Sequence, residues 1–253
     1  MWDPGQYLRY ADLRLRPAVD LLARVPLVSP SRIADLGCGT GNVTQLLAER
    51  WPNADLTGVD GSAEMVSRAR DLAVNVRWAH ADIATWSPDA PLDLLFSNAA
   101  LHWVGEHERL FPKPLEFLTP GGVLAVQMPR NFGVSSHTLM YTAAREGPWR
   151  EQLEPLLRPP PVAEPGAYHD ILAPHVSSLD IWETEYLQLL EGDDPVAEWT
   201  KGTWAKPLLD ALDDGDRQAF EADYRARLRA AYPRRSDGTT LFPFRRLFIV
   251  ATL

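Results

Sequence analysis

Asp35-Leu36-Gly37-Cys38-Gly39-Thr40-Gly41-Asn42 sets an acid and three alternating glycines directly after the apolar run Ile33-Ala34. Glycine tolerates positive φ and lets the backbone approach a ligand, so the stretch reads as strand, tight turn, helix. Val43, Leu46 and Leu47 recur at helical spacing through Arg50, which puts the amides of the turn at a helix N-terminus, where anions and polar ligands are stabilised. A second acid, Asp60, stands nineteen residues beyond Gly41. That is close to the offset of about 20 residues at which a carboxylate meets a ribose hydroxyl pair, accepting from both at once. Asp60 also has a purely structural reading, as N-cap of the helix that Gly61-Ser62-Ala63-Glu64 opens. Two further stretches follow in order: His80-Ala81-Asp82-Ile83 and Phe96-Ser97-Asn98-Ala99-Ala100-Leu101-His102-Trp103. Both fall where strands end, the edge at which open α/β sheets bind ligands. The dinucleotide fingerprint G-x-G-x-x-G needs glycine where Asn42 stands, so D-x-G-x-G-x-G points to another nucleotide-type ligand.

Alternating elements must position these residues. Pro17 to Val25 reads as a helix with Pro17 in its first turn. Strands are expected at Asp55–Asp60, Val74–His80, Leu92–Asn98 and Gly121–Met128, with a helix over Ala63–Leu72. Strand and helix alternation implies a parallel sheet, and the unbroken apolar run Gly122-Val123-Leu124-Ala125-Val126 suits a strand covered on both faces. After Met128 the texture changes: Pro129, Pro148, Pro159-Pro160-Pro161, Pro165 and Pro174 break up helical patches, as in an insertion. A strand is expected again over Asp180–Leu190, helices over 193–232, and a final strand at Leu247–Ala251.

The chain has 253 residues, 45% of them hydrophobic, enough for one α/β domain with a subdomain. Its single cysteine, Cys38, excludes an intrachain disulfide and suits a reducing compartment. No apolar run reaches the ~18 residues of a membrane span, and the first residues lack the pattern of a secretory signal, so a cytoplasmic protein without membrane attachment is expected. A net charge of -9 argues against a nucleic-acid footprint. No obligate protein partner is evident.

The ordered set of glycine turn, Asp60, Asp82-Ile83 and the Asn98 turn resembles the class I S-adenosylmethionine (SAM) methyltransferases. Segments across nearly the whole chain resemble more narrowly the trans-aconitate 2-methyltransferases. They are Arg16 to Leu27, Val126-Gln127-Met128-Pro129, Tyr168-His169-Asp170-Ile171-Leu172, Asp180-Ile181-Trp182, Phe242-Pro243 and Arg246 to Ala251. The resemblance implies a Rossmann-like α/β sheet, mostly parallel with an antiparallel last strand, in a single domain (1–253) with helical cap segments at about 130–178 and 192–236. It implies SAM as cofactor, held by Tyr7, Arg16, Asp35, Gly37, Cys38, Gly39, Gly41, Asn42, Asp60, Gly61, Met65, Asp82, Ile83, Asn98 and Ala99. Asp82 would accept from the adenine amino group, and Ile83 would pack on the ring. It also implies methylation of one carboxylate of a small polycarboxylic acid. A SAM methyltransferase acting on another small molecule, an NAD-dependent oxidoreductase and a noncatalytic SAM-binding protein remain as alternatives.

A carboxylate with a pKa near 4 is already ionised at neutral pH, so its methylation requires no general base, and no metal is expected. A cationic clamp for the other carboxylates is required instead, best made by arginine with its bidentate fork. Residues 217–246 carry eight arginines against three acids, a surplus of +5 that leaves -14 for the rest of the chain. Arg234, Arg235, Arg245 and Arg246 are clamp candidates there, whereas Arg225 and Arg229 read as helix-surface pairs. Gln127 and Arg130 follow the fifth strand, and His102 and Trp103 follow the fourth. Trp199, with Lys201 and Trp204, is a candidate lid whose structural alternative is core packing. His169-Asp170 is not read as a metal or triad pair, because no third ligand is evident.

Overall fold

The computed structural model describes residues 11–253. Among the described residues, seven strands form one sheet in the order β3-β2-β1-β4-β5-β7-β6. They are β1 (Arg32–Leu36), β2 (Asp55–Asp60), β3 (Arg77–His80), β4 (Leu92–Asn98), β5 (Leu118–Pro129), β6 (Ser178–Leu190) and β7 (Thr240–Thr252). β1 pairs in parallel with both β2 and β4, β2 with β3, and β4 with β5, while β5 pairs antiparallel with β7. This is the mostly parallel, Rossmann-like sheet expected. The strand order reverses between β1 and β4, and the crevice beyond their carboxyl ends is the ligand position of such sheets. Ile33, Ala34, Leu36, Leu94, Leu95, Phe96 and Val123 to Val126 are all buried, which explains their unbroken apolar runs.

Several boundaries move. The leading helix α1 (Ala11–Arg24) starts earlier than expected and carries Pro17 inside it rather than in its first turn. β3 starts at Arg77 rather than at the expected Val74, and helix α3 (Ala63–Ala69) ends before Leu72. Helix α2 (Asn42–Arg50) follows the glycine turn directly, with Gly41 in the left-handed conformation as its cap.

The described chain clusters into two compact units. One contains the sheet segments Arg14–Pro129, Pro161–Thr184 and Arg246–Leu253. The other draws on Arg130–Pro160 and Glu185–Arg245. Residues 161–178 therefore group with the sheet rather than with 130–160: Tyr168 of the helix Pro165–Leu172 is fully buried, with its ring 4.9 Å from that of Phe111. The helical unit has its own core, in which Met140, Trp149, Leu153, Val196, Trp199, Phe220, Tyr224, Phe242 and Phe244 pack together.

Candidate functional site

The glycine turn is built by hydrogen bonds that only its own geometry allows. Gly37, Gly39 and Gly41 have φ of 76°, 55° and 85°. The amides of Gly37 and Cys38 both donate to the Val59 carbonyl, at 2.8 and 3.0 Å. A Cβ on Gly37 would stand 2.0 Å from that of Ala100, so this turn and the one after β4 meet without room for a side chain. A Cβ on Gly39 would meet nothing within 4 Å, leaving backbone beside open space. Cys38 is buried, with its thiol pKa pushed up first by burial and then by the charges of Asp35 and Asp60. Asn42 is exposed at the start of α2.

Asp35 lies behind the turn, fully buried, and accepts from the Thr44 hydroxyl at 2.6 Å. Burial pushes its pKa up to about 7, against the Thr44 hydrogen bond, and the charge of Asp60 adds to the rise. Thr44 escaped the sequence reading. Its signal would have been a hydroxyl nine residues beyond the acid, one helical turn past the glycines.

Asp60 ties the turn to β2. One carboxylate oxygen accepts from the Gly39 amide and the other from the Ser62 amide, each at 2.8 Å. The N-cap of α3 is Ser62, whose side chain accepts from the Met65 amide, so Asp60 is not that cap. Each Asp60 oxygen keeps acceptor capacity beyond its single amide. Gly61 is exposed, Met65 is buried on α3, Asp82 is exposed and Ile83 half-buried. Asp82 also closes its own turn, accepting from the Ala84 amide at 2.9 Å. Arg16 lies on the exposed face of α1, 3.9 Å from Asp20, and Tyr7 lies outside the described residues.

The other half of the edge differs in kind. Asn98 ends β4 opposite Gln127 of β5, and Ala99, a non-glycine residue held at φ 54°, donates its amide to the Gln127 carbonyl at 2.9 Å. Arg246 faces Pro129 across the antiparallel pair, and its guanidinium reaches the Gln127 side-chain oxygen at 3.5 Å. Arg246 is buried, as are Gln127 and His102. Burial lowers the His102 pKa to about 3, with the charges of Arg246 and His107 acting in the same direction, so its imidazole is neutral. Asn98 Oδ1, His102 Nδ1 and Gln127 Nε2 are buried and find no hydrogen-bond partner among the described residues. Unsatisfied buried polar atoms are costly, and three at the ends of adjacent elements call for a ligand. Trp103 is 55% exposed, with its ring 4.6 Å from that of His102.

The remaining candidates lie in the helical unit. Trp199 packs against Phe242 and Phe244 in that unit's core, the packing alternative to a lid. Lys201 pairs with Glu221, and Trp204 donates to the Tyr141 hydroxyl. Arg245 is half exposed, 3.9 Å from Glu185, and its carbonyl accepts from the Arg130 amide. Arg234 bonds the Gly238 carbonyl and approaches Asp193, while Arg235 is exposed. Arg225 and Arg229 both engage Asp194. The basic surplus is thus largely taken up by internal pairs, and within the sheet unit Arg246 is its one representative. His169 and Asp170 touch at 3.2 Å on an exposed surface.

Comparison with known proteins completes the picture. Residues 33–122 match a family described as methyltransferase domain, from β1 into β5. The chain is 48% identical to a trans-aconitate 2-methyltransferase of Azoarcus sp. (strain BH72), over 99% of this chain and 98% of that one. It is 52% identical to one of Streptomyces coelicolor, over 99% and 86%. The chain belongs to the trans-aconitate 2-methyltransferase family. Its fold is also found in a solved phosphoethanolamine N-methyltransferase 2 of Haemonchus contortus in complex with S-adenosyl-L-methionine, with TM-score 0.55 and 16% identity over 94% of this chain and 52% of that one. Membership in a methyltransferase family sets aside the oxidoreductase and noncatalytic alternatives. No described helix is long and apolar enough to cross a membrane.

Proposed function

We propose that this chain transfers the methyl group of SAM to a carboxylate oxygen of trans-aconitate, giving the monomethyl ester and S-adenosylhomocysteine. The observation that carries this reading is the end-to-end relationship to proteins of that name. The donor chemistry is that of a sulfonium: as the carboxylate oxygen forms its bond to the methyl carbon, the carbon–sulfur electron pair returns to sulfur. No proton moves, so the chain supplies position and charge rather than a base. Alignment at near-attack distance is worth about 7–11 kcal/mol of a barrier.

The residues fit the cofactor. The space beside Gly39 admits a close ligand, Asp60 retains acceptor capacity for hydroxyls, and Asn98 Oδ1 lacks the donor that an α-ammonium would provide. Gly37, Gly41, Asp82 and Ile83 complete that half in this reading, with Asp35 and Thr44 holding the turn from behind. The acid is assigned to Arg246, His102 and Gln127. Arg246 supplies positive charge inside a buried setting, where a carboxylate interacts more strongly than in water. Neutral His102 and the Gln127 amide supply donors without adding charge. Arg245, Arg234, Arg130 and Trp199 are not required. The relatives match from end to end, so the chain is read as one functional domain. A cytoplasmic enzyme that acts without nucleic acid or an obligate protein partner accords with the single cysteine and the charge of -9.

The test is a panel of organic acids incubated with SAM, with S-adenosylhomocysteine detected as product. Turnover fastest with trans-aconitate is expected. Turnover of a hydroxyl or amine compound but of no carboxylic acid would replace this reading.

A further inference from the structure

The segment Tyr168 to Leu172 carries part of the family resemblance, yet none of it belongs to the cofactor or acid groups described above. Tyr168 is fully buried, and its hydroxyl oxygen lies 2.7 Å from His107 Nδ1. His107 Nε2 lies 3.0 Å from the Leu101 carbonyl, and the Ala163 amide donates to the Tyr168 oxygen at 3.2 Å. The Leu101 carbonyl can only accept, so Nε2 carries hydrogen. The Ala163 amide donates to the Tyr168 oxygen, and that hydroxyl and Nδ1 share the third hydrogen bond. The relay therefore holds the ring with its Nε2–H on the Leu101 carbonyl. Phe111 packs on both rings, 5.3 Å from His107 and 4.9 Å from Tyr168.

What the relay grips is the backbone turn Leu101–Trp103, directly after the left-handed Ala99. A non-glycine residue at φ 54° does not hold itself there, and the turn is pinned at both ends. Ala99 donates to Gln127 on one side, and Leu101 receives His107 on the other. Between and beside these pins sit Ala100, against Gly37, and His102, with its partnerless Nδ1.

We propose that His107 and Tyr168 are positioning residues for the acid: they hold the Leu101–Trp103 turn so that His102 presents its imidazole to a substrate carboxylate. The proposal rests on the reading that His102 helps hold the acid, and it adds a buried relay 61 residues long in sequence that sets where His102 stands.

Two measurements test it. The first is a nitrogen-15 NMR correlation of the His107 ring in the wild-type chain without any acid, so its result does not depend on the substrate's identity. An Nε2–H with a hydrogen-bonded Nδ1 is expected, and Tyr168→Phe should shift Nδ1 toward the value of an unbonded nitrogen. An Nδ1–H tautomer in the wild type would overturn the relay. The second is kinetic. Losing a neutral hydrogen bond worth about 1 kcal/mol corresponds to roughly fivefold. Tyr168→Phe should accordingly raise KM for trans-aconitate about fivefold and His107→Ala more, with kcat and S-adenosylhomocysteine affinity held within about twofold. His107→Gln keeps one donor and one acceptor and should recover most of the loss. If Tyr168→Phe and His107→Ala leave KM unchanged, or lower cofactor affinity in parallel with KM, the relay is packing and not positioning. Should another acid of the panel prove the better substrate, the same comparison is made with that acid.

Discussion

The two halves of the sheet's carboxyl edge treat their polar groups in opposite ways. Around the glycine turn every acid is already engaged: Asp35 with Thr44, and Asp60 with the amides of Gly39 and Ser62. Around the ends of β4 and β5, Asn98 Oδ1, His102 Nδ1 and Gln127 Nε2 are buried without partners among the described residues. A half that satisfies itself needs no ligand to settle its polar groups, so in the proposed function the cofactor meets a finished socket. A half that leaves buried polar atoms unmet gains most when a ligand supplies the missing partners, and discriminates strongly against one that does not. In the function proposed above, affinity for the common cofactor rests mainly on the first half, with Asn98 reaching it from the second, and choice of acid rests on His102, Gln127 and Arg246.

The largest expected effect tests the second half. Arg246→Gln removes a buried positive charge and should raise KM for trans-aconitate by about 30-fold or more, since truncating a buried hydrogen-bonded charge costs about 2–5 kcal/mol. Arg245→Gln, on the half-exposed neighbour, should change KM by less than about twofold. Initial rates against acid concentration separate the two, and equal effects would dissolve the distinction between neighbours that face opposite ways on a strand.

Asp60→Ala tests the first half. It removes charge-assisted acceptors worth about 1.5–3 kcal/mol, so S-adenosylhomocysteine should bind about 10- to 150-fold more weakly by calorimetry. Asp60→Asn keeps one acceptor and should fall between. A variant with normal cofactor affinity and impaired use of the acid would reverse the assignment of halves.

A smaller effect follows from burial of the neutral imidazole. His102 titrates near 3 when folded and in its ordinary range when unfolded, so the stability it contributes is present above about pH 6.5 and is lost as pH falls toward 3. The slope is about 1 kcal/mol per pH unit in that window. His137, lowered to about 4 chiefly by burial, adds to the acid-side loss. Asp35 opposes it: its folded pKa near 7 lies above the unfolded value, so its contribution is present at low pH and lost as pH rises through 7. Urea unfolding midpoints at pH 7, 6 and 5 should decline toward acid, and His102→Gln should make the decline shallower. A steeper decline in that variant would contradict the neutral histidine.

The smallest expected effect is none. With both substrates saturating, turnover should show no unit-slope rise between pH 6 and 8, because the nucleophile is ionised throughout and His102 stays neutral. Such a rise in stopped-time assays would demand a base that neither half provides.

Much of the first half was legible in the sequence because its logic is local. Gly37, Gly39 and Gly41 announce a turn by their own conformational freedom, and Asp60 follows at a spacing fixed by one helix and one strand. The parallel order of the early strands follows from alternation of short elements. Composition also located the positive charge, in residues 217–246. Composition does not say which arginine is buried: Arg225 and Arg229 go to Asp194, and Arg246 to Gln127, only because antiparallel pairing sets Arg246 against Pro129. The helix phase that brings Thr44 to Asp35, and the partnership of His107 with Tyr168 across 61 residues, left no periodicity to read. Sequence by itself determined the turn chemistry, the sheet and the family, since these depend on backbone freedom and spacing between neighbours. Tertiary structure decided which polar atoms are satisfied and which are left for a ligand, because hydrogen-bond partners distant in the chain are chosen by packing alone.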